Sequence, residues 1–565
     1  MSCAAPSAEH GAPDTVAGLL RARADDDATG VLFEHRRWTW RQVVVESSKR
    51  AELALHRRSP GPFHIGILLE NVPDYLFWLG AAALAGAVAV GINPTRRGAA
   101  LARDVRDSDC QLLVTDHAGA ELLAGLHTAL GEEAVIVIDD KVSEEPTTPM
   151  TLPIVQHQDL FLLLFTSGTT GDPKAVRCTH GRLAAIAART ASHYDFRPDD
   201  VCYCPMPLFH GNAVMALWAP ALATGAAVAL TRRFSASGFI ADVRHHGATR
   251  FTYVGTALAY VLATPPRADD ADTNLRMGFG TEASGRDRQA FEERFGCTLV
   301  EGYGSSEGGV ALQVGPDTPA GSLGRPTVGQ DAAVCDPLTS AECPPARFDR
   351  VGRLLNANEA IGEIVNRSGP GGFEGYYRDE DSEAERLRQG WYWTGDLGYR
   401  DEDGFFYFAG RRGDWLRVDG ENVAAAPVER VLERYPPVAA LAVYGVADPR
   451  SGDRVMAALT LRQGQVFEPD GFRRWLAEQP DLGTKWAPRF VRICARLPLT
   501  ATGKVVKEPL VGQGWECEDP VFWSPDRDLA YRRLTAEDRA ELRQTLLAHG
   551  RASLAADGPA GRGPR

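Results

Sequence analysis

The sequence predicts an α/β protein with a large multi-layer N-terminal domain and a small α+β C-terminal domain. The chain of 565 residues is too long for one ordinary core, so at least two domains are expected. From the N-terminus to Arg400, short β-type runs alternate with Ala-rich helical stretches, the pattern of α/β layers around buried sheets. A charged stretch punctuated by glycine, Asp401 to Gly420, then separates this region from a shorter one.

The elements follow from local pattern. His64-Ile-Gly-Ile-Leu-Leu, Gln111-Leu-Leu-Val-Thr, Ala134-Val-Ile-Val-Ile and Ala226-Ala-Val-Ala-Leu are apolar runs of strand length. Tyr75 to Ile92 carries no charge over 18 residues, long enough for a membrane span. Its glycines (Gly80, Gly86, Gly91) and its ending AVAVGI favour a buried helix running into a buried strand instead. Past the charged stretch, Pro427–Tyr435 is expected as helix, Ala439–Val446 and Val455–Leu461 as strands, and Gly471–Glu478 as helix. The expected division is therefore residues 1–410, residues 411–535, and a tail from 536 to 565 whose Gly/Ala/Pro/Arg-rich end after Ala555 is disordered.

A net charge of −13 favours solubility and argues against a nucleic-acid-binding surface; a cytoplasmic protein with at most peripheral membrane contact is expected. Met1 to Asp14 has neither a basic n-region nor a long apolar core, so no secretory signal is expected. The ten cysteines are scattered, and the closest pair, Cys202 and Cys204, lacks zinc-site spacing. Reduced thiols are expected.

The most informative segment is Phe161-Leu-Leu-Leu-Phe-Thr-Ser-Gly-Thr-Thr-Gly-Asp-Pro-Lys174, an apolar strand feeding a loop of Thr, Ser and Gly. Gly168 and Gly171 let backbone amides approach an anion. Thr166, Ser167, Thr169 and Thr170 add hydroxyls, and Lys174 adds a positive charge. Together they suit a polyphosphate, although the spacing is not GxxxxGK[ST]. On composition alone, an unliganded polar loop stands level with that reading.

The run TSGTTGDPK at 166–174 resembles the phosphate loop of adenylate-forming enzymes, the superfamily of acyl-CoA synthetases, peptide-synthetase adenylation domains and beetle luciferases. Further motifs follow in that superfamily's order. Tyr303-Gly-Ser-Ser-Glu-Gly resembles YGxTE, and Thr394-Gly-Asp-Leu-Gly resembles the TGD signature. Gly410-Arg-Arg-Gly-Asp resembles the GRxxD junction, Asp419-Gly-Glu-Asn-Val the GGENV loop, and Pro498-Leu-Thr-Ala-Thr-Gly-Lys the PxTxxGK segment.

The resemblance implies roles. Tyr303 stacks on adenine with the backbone of Gly280 to Glu282 on the other side. Ser306 turns a hydroxyl to phosphate in place of the usual Thr. Glu307 and Thr166 hold Mg²⁺, and Asp396 accepts the ribose hydroxyls. Arg411 donates to ribose or phosphate. Lys504 stabilises charge as a carboxylate displaces pyrophosphate. Phe209, His210 and Trp218 line the acyl pocket, with a core histidine the competing reading of His210. Gly420, Glu421, Asn422 and Val423 form the loop facing CoA. The small domain is mobile about a hinge near Gly413, where the family usually has Asp or Lys. ATP, Mg²⁺ and CoA are the implied partners of a small carboxylic acid.

Arg412-Gly-Asp-Trp-Leu-Arg-Val-Asp-Gly-Glu-Asn-Val423 and the closing segments Trp515–Trp523 and Leu529–Leu534 resemble the fatty-acid transport protein and very-long-chain acyl-CoA synthetase group. The implied enzyme is a fatty-acid–CoA ligase. Ligases for a steroid side chain or another polycyclic acid, and lipid-uptake proteins with coupled acyl activation, are the alternatives. A pure transporter or a nucleotide-sensing module would have no use for Lys504.

Overall fold

The computed structural model describes residues 13–128, 130–138, 151–166, 173–281, 283, 285–315, 317–319, 321–350, 354–411, 415–418, 421–448, 452–482, 486–500, 503–525 and 529–549. The predicted α/β architecture is observed. Two sheets with mainly parallel strands form the bulk of the large domain. In one, the strands follow the order Val135–Val137, Cys110–Thr115, His64–Leu68, Val88–Gly91, Leu160–Thr166 and Lys174–Thr179, the last antiparallel. In the other, the order is Thr298–Glu301, Met277–Thr281, Arg250–Val254, Val201–Cys204, Ala227–Leu230, Thr29–Phe33 and Arg36–Thr39.

The core between the sheets explains the uncharged stretch. Helix Pro73–Ala85 starts on Pro73 and stops at Gly86, which takes the left-handed conformation (φ 63°) that a helix end requires. Its residues from Tyr75 to Ala85 are all buried, and Val88–Gly91 follows as a buried strand. A helix apolar all round is an interior helix. Among the described residues no helix is long and apolar enough to cross a membrane. Ile65 and Leu162 of one sheet and Cys202 and Val228 of the other share one hydrophobic cluster with this helix.

A third, antiparallel sheet carries Ala332–Cys335, Gly362–Asn366, Trp391–Arg400 and Leu387–Arg388, with Phe406–Arg411 paired to Trp391–Arg400. After the hairpin Trp415–Val418/Glu421–Ala424 comes a five-stranded sheet: Val438–Ala447, Asp453–Leu461, Phe490–Ile493, Val521–Trp523 and Arg532–Arg533. Side chains alternate across it as strand geometry dictates. Val443, Val455 and Val491 pack with Val428, Leu432, Phe472 and Leu476 of helices Ala425–Leu432 and Pro469–Ala477. Tyr444, Met456 and Phe490 face the other way, onto Leu510, Leu542 and Leu546. The last two belong to helix Ala536–Ala548, which opens on a capping box between Thr535 and Asp538. The segment expected as a tail from residue 536 thus begins as a helix that completes one face of the small domain. Its expected disordered end lies outside the described residues. The described cysteines are free thiols.

Candidate active site

Three of the residues singled out by motif, Thr166, Gly280 and Tyr303, lie at or just past the C-terminal ends of parallel strands, where open α/β sheets bind ligands. Strand Leu160–Thr166 ends at Thr166, which pairs with Lys174 of the returning strand; its hydroxyl lies 3.5 Å from the Lys174 carbonyl. Ser167, Gly168, Thr169 and Thr170, the loop between them, lie outside the described residues, as do Glu282, Gly413 and Gly420.

Two neighbouring strands deliver the next group. Gly280 is the penultimate residue of Met277–Thr281, and a Cβ there would lie 2.4 Å from the Tyr253 carbonyl oxygen, so the close approach admits only glycine. Thr298–Glu301 leads through Gly302, whose amide donates to the Gly280 carbonyl (3.3 Å), into Tyr303. The Tyr303 hydroxyl donates to Asp396 Oδ2 at 2.8 Å. Burial and the neighbouring carboxylate push the Tyr303 phenol well above its usual range.

Asp396 is held by its own turn. Gly395 has φ +74°, and its amide donates to Glu363 Oε1 at 2.7 Å. The Thr394 hydroxyl accepts from the Asp396 amide (3.0 Å) and donates to the Ile364 carbonyl (2.7 Å). Arg411 pairs with Asp396 across the strands and sets Nε 3.8 Å from its Oδ1. Burial raises the Asp396 carboxyl above its ordinary value, against the pull of Arg411, the Tyr303 hydroxyl and Lys504.

Lys504 comes from the small domain. It follows Gly503 (φ +85°) in a hairpin closed twice by Thr500, whose amide donates to the Lys504 carbonyl (2.7 Å) and whose hydroxyl accepts from the Lys504 amide (3.0 Å). The hairpin rests on the large domain: a Cβ at Gly503 would lie 3.3 Å from Val254 Cγ2. Ser306 reaches the segment Phe209–Gly211, its Oγ being 2.9 Å from where a Gly211 Cβ would stand. Phe209 is buried, His210 is half-buried and caps the short helix after it through Nδ1, and Trp218 is seated in the core between the parallel sheets. The backbone of Glu421, Asn422 and Val423 forms a strand paired with Trp415–Val418.

The motif residues Glu307 and Lys174 are supported by residues that carry no motif, Tyr376, Arg386 and Glu385. Glu307 is 6% exposed and accepts from the Tyr376 hydroxyl at 3.1 Å. Arg386 Nε donates to the same hydroxyl at 3.3 Å, and its Nη1 donates to the Thr394 carbonyl. Lys174 Nζ lies over the Tyr376 ring at 5.5 Å from its centre and 3.7 Å from Glu385. One chain of contacts therefore runs from Glu307 through Tyr376 and Arg386 to the turn that presents Asp396. Glu374 similarly fixes Thr179, and Arg182 the Ser306 carbonyl (2.5 Å).

A buried carboxylate at Asp396 bonded to Tyr303, with Lys504 close enough to pull on it, matches the arrangement that the sequence resemblance to adenylate-forming enzymes implies. Sequence comparison assigns the family: the pattern described as AMP-binding enzyme matches residues 20–377, and that of the AMP-binding enzyme C-terminal domain matches residues 427–504. The chain belongs to the AMP-binding enzyme family. It is 54% identical to steroid-22-oyl-CoA synthetase of Rhodococcus jostii, over 95% of this chain and 98% of that one. It is 47% identical to the medium/long-chain-fatty-acid–CoA ligase FadD17 of Mycobacterium tuberculosis, over 90% and 98%. Among solved structures, o-succinylbenzoate CoA synthetase of Bacillus subtilis with ATP and magnesium aligns with a TM-score of 0.72 at 26% identity, over 86% of this chain and 98% of that one. The anthranilate CoA ligase AuaEII shares the fold (TM-score 0.76, 22% identity, 89% and 97% covered). The expected class, an acid–CoA ligase of the AMP-forming kind, is the class of these relatives.

Proposed function

We propose that the chain activates a hydrophobic carboxylic acid with ATP and transfers the acyl group to CoA, releasing AMP and pyrophosphate. The observation that carries this is the meeting of Tyr303, Asp396 and Lys504, from separate motifs and two domains, at one group of strand ends. In the first step the carboxylate oxygen attacks the α-phosphorus, and the bond from phosphorus to the bridging oxygen breaks. Tyr303 stacks on adenine over Gly280, Asp396 and Arg411 hold the ribose, and Ser306, Lys174 and the 167–170 loop take the phosphates. Lys504 meets the negative charge that moves onto the α-phosphate and leaving group. In the second step the CoA thiol loses its proton, its sulfur attacks the acyl carbonyl, and AMP departs.

Glu307 fits Mg²⁺ together with Thr166. One of its oxygens takes the Tyr376 hydroxyl, which leaves lone pairs on a buried carboxylate for a cation. Mg²⁺ bound there would neutralise phosphate charge. The division at residues 410 and 411, a pivot near Gly413, a CoA-facing loop at Gly420 to Val423, and an acyl pocket entered past Phe209, His210 and Trp218 belong to the same proposal, as does a cytoplasmic site of action with at most peripheral membrane contact.

The substrate is a fatty acid or another acid with a large hydrophobic body. The 54% identity to a steroid-22-oyl-CoA synthetase favours the second reading, a steroid side-chain acid. Purified protein with ATP, Mg²⁺ and CoA is assayed for AMP against acids of graded length and bulk. Bulky acids are expected to exceed acetate in kcat/KM. ADP as product, or AMP formation without acid, would refute the proposal.

A further inference from the structure

Between the sheet and the π-helical segment Val214–Trp218 lies a small void of about 10 Å³, lined chiefly by apolar groups that include Ala216, Leu217, Met277 and Phe279. Thr252 also lines it. This threonine is 2% exposed, and its hydroxyl has no hydrogen-bond partner among the described residues. An unpaired buried hydroxyl is costly and calls for an explanation. A trapped water would find there only the low end of the two to four polar partners that a buried water takes. Besides Thr252, the polar residues of the lining are Tyr194, Cys202 with its weakly bonding thiol, and Arg250, and Arg250 is already engaged by Asp200 at 2.8 Å and by Met277 Sδ at 3.3 Å.

The position of the void gives the hydroxyl a use. Thr252 and Val254 are two residues apart on strand Arg250–Val254, so they face the same side of the sheet. Val254 is the residue against which the Gly503–Lys504 hairpin rests. Thr252 therefore lies about 7 Å deeper along the strand, at ~3.3 Å per residue. Its partner across the strands, Phe279, lies next to Gly280 and packs beneath Gly302, whose added Cβ would stand 3.0 Å from the Phe279 ring. An acid whose carboxylate met Lys504 and whose body followed this face of the strand would reach Thr252. Its body enters as the lining side chains part, and flexible Met277 eases that.

We propose that this void is the floor of the acyl pocket and that the Thr252 hydroxyl bonds a single oxygen carried on the hydrophobic body of the acid, about 7 Å below the level at which Lys504 holds the carboxylate. The inference rests on the acyl-CoA ligase reading. It makes an oxygenated hydrophobic acid, a chain or a ring system, the preferred substrate class over a plain hydrocarbon acid. A site built to pair a substrate oxygen discriminates against the analogue lacking it.

The test uses the full chain and two matched pairs: dodecanoic against 7-oxododecanoic acid, and 5β-cholanic acid against its 12-oxo derivative. In at least one pair the oxygenated acid is expected to lead in kcat/KM by about tenfold, and that pair tells whether the body is a chain or a ring. Thr252→Val should bring that ratio near unity, and Thr252→Ser, which keeps the hydroxyl, should hold it. The Tm of Thr252→Val should equal or exceed that of the parent, since an unpaired hydroxyl is removed. Turnover of all four acids with no preference, or a ratio unmoved by Thr252→Val, would overturn the inference and leave the ligase reading standing. Failure to form AMP from any of the four would overturn both.

Discussion

Tyr376→Phe removes a single oxygen from the middle of the site. That oxygen donates to Glu307 Oε1 at 3.1 Å and accepts from Arg386 Nε at 3.3 Å. Glu307 is 6% exposed, so the carboxylate loses a donor that water cannot replace. A hydrogen bond to a charged group contributes about 1.5–3 kcal/mol, and the loss corresponds to roughly 10- to 100-fold. If Glu307 holds Mg²⁺, the loss appears as a higher Mg²⁺ requirement. Acid-dependent pyrophosphate exchange, titrated with Mg²⁺ at saturating ATP, measures it. The midpoint should move up by about that factor, and high Mg²⁺ should recover much of the rate. A lower rate with an unmoved Mg²⁺ midpoint would refute the assignment of Glu307 to the metal through Tyr376.

Lys504→Ala should slow adenylation by roughly 10²–10³-fold and spare thioester formation from supplied acyl-adenylate; equal loss of both steps in folded protein would contradict the division of labour. Gly413→Pro fixes φ at the proposed pivot and should keep pyrophosphate exchange while losing thioester formation, read by single-turnover assays. Gly395→Ala places a Cβ 2.5 Å from Arg386 Nη1 at a φ of +74°, so AMP binding measured by calorimetry should weaken; unchanged affinity would show that the turn does not position Asp396. Burial and the neighbouring Glu429 raise the Glu433 carboxyl to about 7. Its raised folded pKa means stability present at low pH that is lost as pH climbs through 7. Glu433→Gln should therefore raise Tm at pH 8 and leave it unchanged near pH 5, and a pH-independent effect would rule out its titration as the cause.

What could be read without coordinates was what lies close in sequence. The buried helix-to-strand passage from Tyr75 to Ile92 was legible because Gly86 stops the helix and β-branched residues follow. Strands such as His64–Leu68 were legible as apolar runs, since both their faces are covered. Motif residues were legible because loops that hold phosphate and ribose need fixed spacings. Tyr376, Arg386 and Glu363 were not, for they act on residues 8 to 69 positions away and have no local signature. Helix Ala536–Ala548 did carry a signal, the Thr535–Asp538 capping box, masked by the Gly- and Ala-rich end that follows. The orphan hydroxyl of Thr252 could not be read at all, because in sequence it is one more strand threonine.

The central claim is that the acid's own oxygen attacks the α-phosphorus of ATP. A carboxylic acid labelled with ¹⁸O on both oxygens, incubated with the protein, ATP, Mg²⁺ and CoA, tests it directly. The account predicts one ¹⁸O in the phosphate of the AMP formed and none in pyrophosphate, read by mass spectrometry. Label in inorganic phosphate with ADP as the nucleotide product would mean attack at the γ-phosphorus, and would contradict it.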